Sequence, residues 1–233
     1  MKIDFSLAAV LKGEYGAKLL HGIVLTIELT LAAAFIAIVL GLALATLRMT
    51  KNRVAVGLVA TYVAYHRNVP MLVQLMMWYF AIPTLLPPSL QQAINGLNGE
   101  FVFAAVAVGL CMAAYVSEDI RSGLRTVPHG QFEASRALGH GFMGSMRHVI
   151  VPQAMRISIP PLVNHAVLLM KNTSLGMAIG VAELTYASRE VENATFRAFE
   201  AYFVATVIYM AFSLLIMAAG ARIAKHYRIP GTR

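Results

Sequence analysis

Long apolar runs separated by short polar breaks fill most of the chain. Residues 20–47 hold one charged side chain, Glu28, before the basic cluster Arg48, Lys51 and Arg53. That run exceeds the ~20 apolar residues needed to cross ~30 Å of hydrocarbon. Similar runs predict further spans over 70–86, 101–120, 157–184 and 201–221, the fourth interrupted near 171–174 by Lys171, Asn172, Thr173 and Ser174. Pro70, Pro160 and Pro161 are placed in first helical turns, where an amide hydrogen would go unpaired anyway. Residues 54–65 are amphipathic and too short between flanking charges to cross, so they lie along the interface or lead into the next helix. Residues 1–19 form an extramembrane lead with an interfacial helix. The pattern predicts an all-α membrane protein of about five spans in one domain, 1–233.

Composition agrees with that reading. Of 233 residues, 58% are hydrophobic and 13% charged, with mean hydropathy +0.67, whereas soluble domains carry roughly 25% charged residues. The net charge of +8 could suggest nucleic acid until the charges are placed against the spans. Arg48, Lys51, Arg53, Arg67, Arg121, Arg125, Arg136, Arg147, Arg156, Arg222, Lys225, Arg228 and Arg233 fall on one side. Lys2, Lys12, Lys18, Arg189 and Arg197 fall on the other. The excess of Lys and Arg in cytoplasmic loops then predicts an external N-terminus, a cytoplasmic C-terminus and no nucleic-acid partner. The first apolar segment is too long for a signal-peptide core of about 7 to 15 residues, so no cleaved signal is expected. The single cysteine, Cys111, is expected to be a small buried hydrophobe.

One polar stretch, 122–152, interrupts the membrane pattern on the cytoplasmic side. Its core, residues 130–152, favours a short helix from Glu133 to Leu138, a break at Gly139 and Gly141, and a second helix over 142–151 before Pro152. The order Glu133, Ala134, Ser135, then Gly139, Ile150 and Pro152 resembles the EAA loop of permease subunits in ATP-binding cassette importers. HRNVPMLVQ (66–74), AAYVSEDIRSG (113–123), VPHGQFEASRALG (127–139), VPQAMR (151–156) and IPPLVNHAVLLMKNTSL (159–175) are similar, in order, to the polar amino acid uptake branch. The RNVP form and the terminal RIPG look most like glutamate/aspartate-type members. Ser135 stands where a second Ala is usual, Asn68 and Val69 replace Gly and Thr, and Asn172 replaces a frequent Asp.

The resemblance implies that the loop fits a groove on a separate ATPase subunit, which binds ATP and Mg and drives the permease. It also implies an extracytoplasmic substrate-binding protein as partner, in a bacterial inner membrane. No GxxxxGK[ST] phosphate cradle occurs in this chain, so the energy must come from outside it or the protein is passive. Glu133 and Arg136 are candidate polar docking contacts, with Ala134 and Ser135 between them; Gly139 is the bend and Phe142 an apolar anchor. Five helices enclose little space, which calls for a second permease subunit, identical or homologous, about a two-fold axis.

For the substrate path, fourteen residues from Ile157 to Lys171 rise about 21 Å, and eight from Leu20 to Glu28 about 12 Å. Both charges thus come near mid-depth, where an ionisable group faces a cavity or a partner. Lys171, with Asn172, Thr173 and Ser174, could attract a substrate carboxylate. Glu28 could pair with Lys171 or meet the substrate's ammonium. Gln74 and Asn164 are polar groups in apolar spans, suited to interhelical hydrogen bonds. An enzyme is not expected: the seven histidines form no HExxH pair, and no serine or cysteine has a visible base. The competing reading is an ion-driven secondary transporter using Glu28 or Glu183 as its proton site.

Overall fold

Helix is the only regular structure in the described residues, 5–50 and 52–227, of the computed structural model. Lys2, Lys51, Arg228, Arg233 and the RIPG run lie outside them. A short α1 (Leu7–Leu11) precedes α2 (Gly13–Arg48) and α3 (Arg53–Asn68), whose first amides are taken by the Asn52 side chain. After a break at Val69 and Pro70 come α4 (Met71–Met76), a π turn (Met77–Ala81) and α5 (Ile82–Leu85). Next are α6 (Pro88–Gly96) and α7 (Gly99–Thr126), the latter capped by the side chain of Asn98. The polar stretch forms α8 (His129–Ala137) and α9 (Phe142–Ser145), and a π turn (Met146–Ile150) leads into α10 (Val151–Asn172). A 3₁₀ segment (Thr173–Ile179), α11 (Leu184–Thr195) and α12 (Ala198–His226) follow.

Among the described residues three helices, α2, α7 and α12, with 36, 28 and 29 residues, are long and apolar enough to cross a membrane. The run Phe142–Ile179 and α11, bent by 49° at their junction, make a fourth candidate. At ~1.5 Å per residue α2 reaches about 54 Å, so its ends project beyond any hydrocarbon slab.

Contacts give the directions. Leu29 packs with Ala104 and Ala105, Ala33 and Ala37 with Val108 and Met112, and Leu44 with Ala113 and Ala114, so α2 and α7 run parallel. Small residues permit that approach: a Cβ on Gly109 would stand 2.7 Å from the Cβ of Ile36, close packing of the kind that holds helices together where burial in lipid supplies no hydrophobic drive. Against α7, Val59 and Val63 meet Ala113 and Ala114, whereas Met71 and Leu75 meet Ala104 and Ala105. The path α3 to α5 is therefore antiparallel to α7 along its length. Ser158 reaches Asp119, Leu169 reaches Val108, and a Cβ on Gly220 would meet Val163, so α10 opposes both α7 and α12.

Several boundaries differ from the sequence expectation. Residues 54–65 do not stand alone at an interface; they are packed helix leading into 71–85, the second of the two arrangements the pattern allowed. The fourth helical run starts at Phe142 rather than near 157, because the π turn carries helix through Ile150 and Pro152 sits in the first turn of α10. Pro160 and Pro161 consequently lie inside α10, not in its first turn; neighbouring helices make such interior prolines tolerable in membrane bundles. Residues 171–174 are not unwound either. The helix persists through Asn172 and tightens to 3₁₀ at Thr173. Ser122 to Thr126 extend α7, so the polar connection is shorter than 122–152.

Candidate functional site

The polar stretch folds into a braced helical hairpin. Val127, Ile150 and Ala154 form a small core, with Leu124, Phe132, Met146 and Val149 packed on it. Gly139 takes φ +89°, a conformation open to glycine but strained for residues with a Cβ, and this turns the chain from α8 to α9. Across the turn Ser135 and Ser145 share a buried 3.0 Å hydrogen bond, and Phe132 meets Phe142 edge-on at 5.9 Å. At the tip, apolar side chains face outward: Leu138 is 83% exposed, Phe142 61% and Met143 73%.

Of the six predicted coupling residues, Glu133, Ala134, Arg136, Gly139 and Phe142 are exposed. Ser135 is not. It is 2% exposed and serves as an internal brace, so of the six coupling candidates it offers no surface to a partner, and a hydroxyl is useful where alanine is usual. Glu133 bonds with His129 at 3.1 Å, and Arg136 donates to the carbonyl of His140 at 3.3 Å, so both charges also stiffen the hairpin.

The predicted path residues do not form one cluster. Glu28 is exposed on α2, and among the described residues no ion pair or hydrogen bond joins it to Lys171. Gln74 is fully buried. Its Nε2 donates to the carbonyls of His66 at 3.1 Å and Val69 at 2.8 Å, and its Oε1 stands 2.6 Å from His66 Nδ1, so it makes hydrogen bonds between α3 and α4, as a polar group in an apolar span suggests, and braces the break between them rather than lining a path. Thr173 is likewise sealed, donating to the Met170 carbonyl at 2.6 Å, and Asn172 turns toward Met112. Asn164 is exposed on α10. Lys171 and Ser174 do share a hollow of about 410 Å³ with Thr185, Tyr202, Ala205, Thr206 and Tyr209, where the threonine and tyrosine hydroxyls are hydrogen-bonded within the chain. Glu183, behind it, accepts from the amides of Thr185 and Tyr186 and from the Tyr209 hydroxyl. It thereby caps the start of α11.

A second hollow of about 410 Å³ was not anticipated. It opens where α3, α7 and α10 meet at the basic end, lined by Arg67, Glu118, Asp119, Arg121, Arg125 and His165 among others. Glu118 is ion-paired with Arg48 and, at 2.5 Å, with Arg121. Asp119 meets His165 Nδ1 at 2.5 Å, and Arg67 lies 5.5 Å above the Tyr115 ring. The cup therefore presents charges of both signs at the height where α7 ends. In the sequence Glu118, Asp119 and Arg121 stand just before the predicted third span's end and just past it, with nothing local to show that they line a cup. Glu118 and Arg121, three apart, were a visible signal of an ion pair, but Arg48 and His165 come from sequence separations of 70 and 46.

Residues 37–229 match the family described as "Binding-protein-dependent transport system inner membrane component". The arginine transport system permease protein ArgU of Corynebacterium glutamicum is 37% identical over 219 residues, 89% of this chain and 67% of that protein. The glutamate/aspartate import permease protein GltJ of Escherichia coli is 30% identical over 214 residues, 90% of this chain and 87% of that protein. A crystal structure of an amino acid ABC transporter with histidines matches with a TM-score of 0.83 at 29% identity, over 97% of this chain and 100% of that one. An inward-facing MetNI methionine ABC transporter shares the fold, with a TM-score of 0.74 at 22% identity over 94% of this chain and 100% of that one. This chain is therefore a member of the binding-protein-dependent transport system inner membrane component family, the multi-pass permeases of ATP-binding cassette importers.

Proposed function

We propose that this chain is the transmembrane subunit of an ATP-driven importer, taking a polar amino acid from an extracytoplasmic binding protein into the cytoplasm of a bacterial cell. The observation that carries the reading is the hairpin: a rigid projection with an apolar tip, Leu138, Phe142 and Met143, on a basic end that the positive-inside rule assigns to the cytoplasm. An exposed apolar patch on a stiff support is a docking feature. Its partner is the ATPase subunit, which holds ATP and Mg. The chain crosses five times, with α3 to α5 as one crossing, and works with a second permease subunit.

The cargo reading is an acidic amino acid of the glutamate/aspartate type. Lys171 supports it, being a basic residue at a hollow with no carboxylate paired to it among the described residues. The mixed-charge cup at the basic end suits the α-carboxylate and α-ammonium of an amino acid on its way out. The relatives' names include arginine permeases, and a comparison of labelled glutamate with labelled arginine separates the two.

The test is uptake by the complex reconstituted with its ATPase and binding protein. Gly139→Pro and Glu133→Lys are expected to leave ATP hydrolysis running while glutamate uptake falls at least tenfold, and Lys171→Met to reduce uptake with the hairpin intact. Normal coupling in both hairpin variants, or uptake that follows an ion gradient without ATP, would overturn the reading.

A further inference from the structure

We propose that the groove between the start of α10 and the end of α12 seats the headgroup of an anionic phospholipid, with Arg156 as its counter-charge. The groove has a volume of about 380 Å³ and is lined by Pro152, Met155, Ile159, Ile223, Tyr227 and Arg156. Four of these six are apolar, and none is acidic. The Nε of Arg156 is buried and has no hydrogen-bond partner among the described residues, and no ion pair is formed by its guanidinium there. Arg156 as a whole is part-buried, and a buried N–H left unpaired is costly, so an anion brought to the groove from outside the chain would give this donor the partner it lacks.

Position says which anion. Val163 lies against Gly220 with the two helices antiparallel, so Arg156 stands level with the last turn of α12, beside the exposed Arg222 and Lys225. This is the end at which α2 finishes in Arg48 and α7 in Arg125. Headgroups meet the bundle at that height. A guanidinium forms paired hydrogen bonds to phosphate oxygens, while Met155, Ile159 and Ile223 offer an apolar wall to the first methylenes of an acyl chain. A phospholipid brings both chemistries to the groove; a free inorganic anion would leave that wall bare. Arg222 and Lys225, both exposed, would raise the local concentration of anionic lipid, but only Arg156 is part-buried and lines the groove. The proposal rests on the membrane family and this groove, and stands whatever the cargo is.

The experiment is native mass spectrometry of the full chain in detergent, with dioleoyl-phosphatidylglycerol or dioleoyl-phosphatidylcholine added at equal concentration. The wild type is expected to retain the glycerol lipid about fivefold or more over the choline lipid, the effect of one well-placed cation. Arg156→Gln should bring that preference to within about twofold, and Arg222→Gln should leave most of it. Should Arg156→Gln fail to fold, Ile159→Trp fills the groove with the charge in place and is expected to weaken retention of both lipids. Equal preference in the wild type and Arg156→Gln overturns the proposal. So does an equal loss in Arg222→Gln, which would mark diffuse surface charge. A chain ended at Tyr227 should bind as the full chain does; several-fold tighter binding would make residues 228–233 the occupant and sink the idea.

Discussion

Gln74 stands where two backbone carbonyls have lost their donors. Pro70 has no amide hydrogen, so the carbonyl of His66 cannot receive the helical bond from four residues on. The Gln74 Nε2 takes its place, bonds the Val69 carbonyl as well, and the Cys111 thiol adds a weak donor to His66 at 3.6 Å. Cys111 is thus more than the apolar filler its surroundings suggested. Because buried polar groups stripped of partners cost about 1–3 kcal/mol each, Gln74→Leu is expected to lower stability by roughly 2–3 kcal/mol. Thermal unfolding in detergent reads this directly, and an unchanged midpoint would show that the brace is idle. Ser135 follows the same logic on the hairpin: its hydroxyl is bonded inside, while its neighbours face outward.

At the scale of elements, the apolar periods located every long helix but misjudged where several begin. Hydropathy ends a span at the first charges, whereas a helix ends where its hydrogen bonds stop. That is why α2 starts at Gly13 rather than 20, and why the run into α10 starts at Phe142. The hairpin was legible because composition changes sharply there and Gly139 marks the turn. The Glu118 and Asp119 cup was not, since pairing across helices leaves no local trace. Helix spacing is a further property that only packing reveals. A Cβ at Gly220 would stand 2.3 and 2.5 Å from the two methyls of Val163, so Gly220→Ala must part α12 from α10 and is expected to cost about 1–3 kcal/mol. Val163→Ala removes both methyls and leaves the Cβ at 3.0 Å. The double variant should therefore be more stable than the sum of the single effects by at least ~1 kcal/mol. Strict additivity in denaturation midpoints would mean that the helices do not touch there.

Taken whole, the molecule is polarised. α2, α7 and α12 point one way, α10 and the α3 to α5 path point the other, and the basic residues gather where the first three end. On the proposed function, this polarity would let an ATPase reach the projection while a binding protein meets the opposite end. Two exposed positions report on it, because Leu97 precedes α7 and is 71% exposed, whereas Leu138 follows it and is 83% exposed. The native Cys111 is 3% exposed, so an impermeant maleimide has little background to compete with. In cells whose outer barrier is permeabilised, Leu97→Cys should label and Leu138→Cys should not; in inverted membrane vesicles the order should reverse. If Leu138→Cys labelled from outside, the hairpin would face away from cytoplasmic ATP. No ATPase could then grip it, and the basic end would have to serve some other partner.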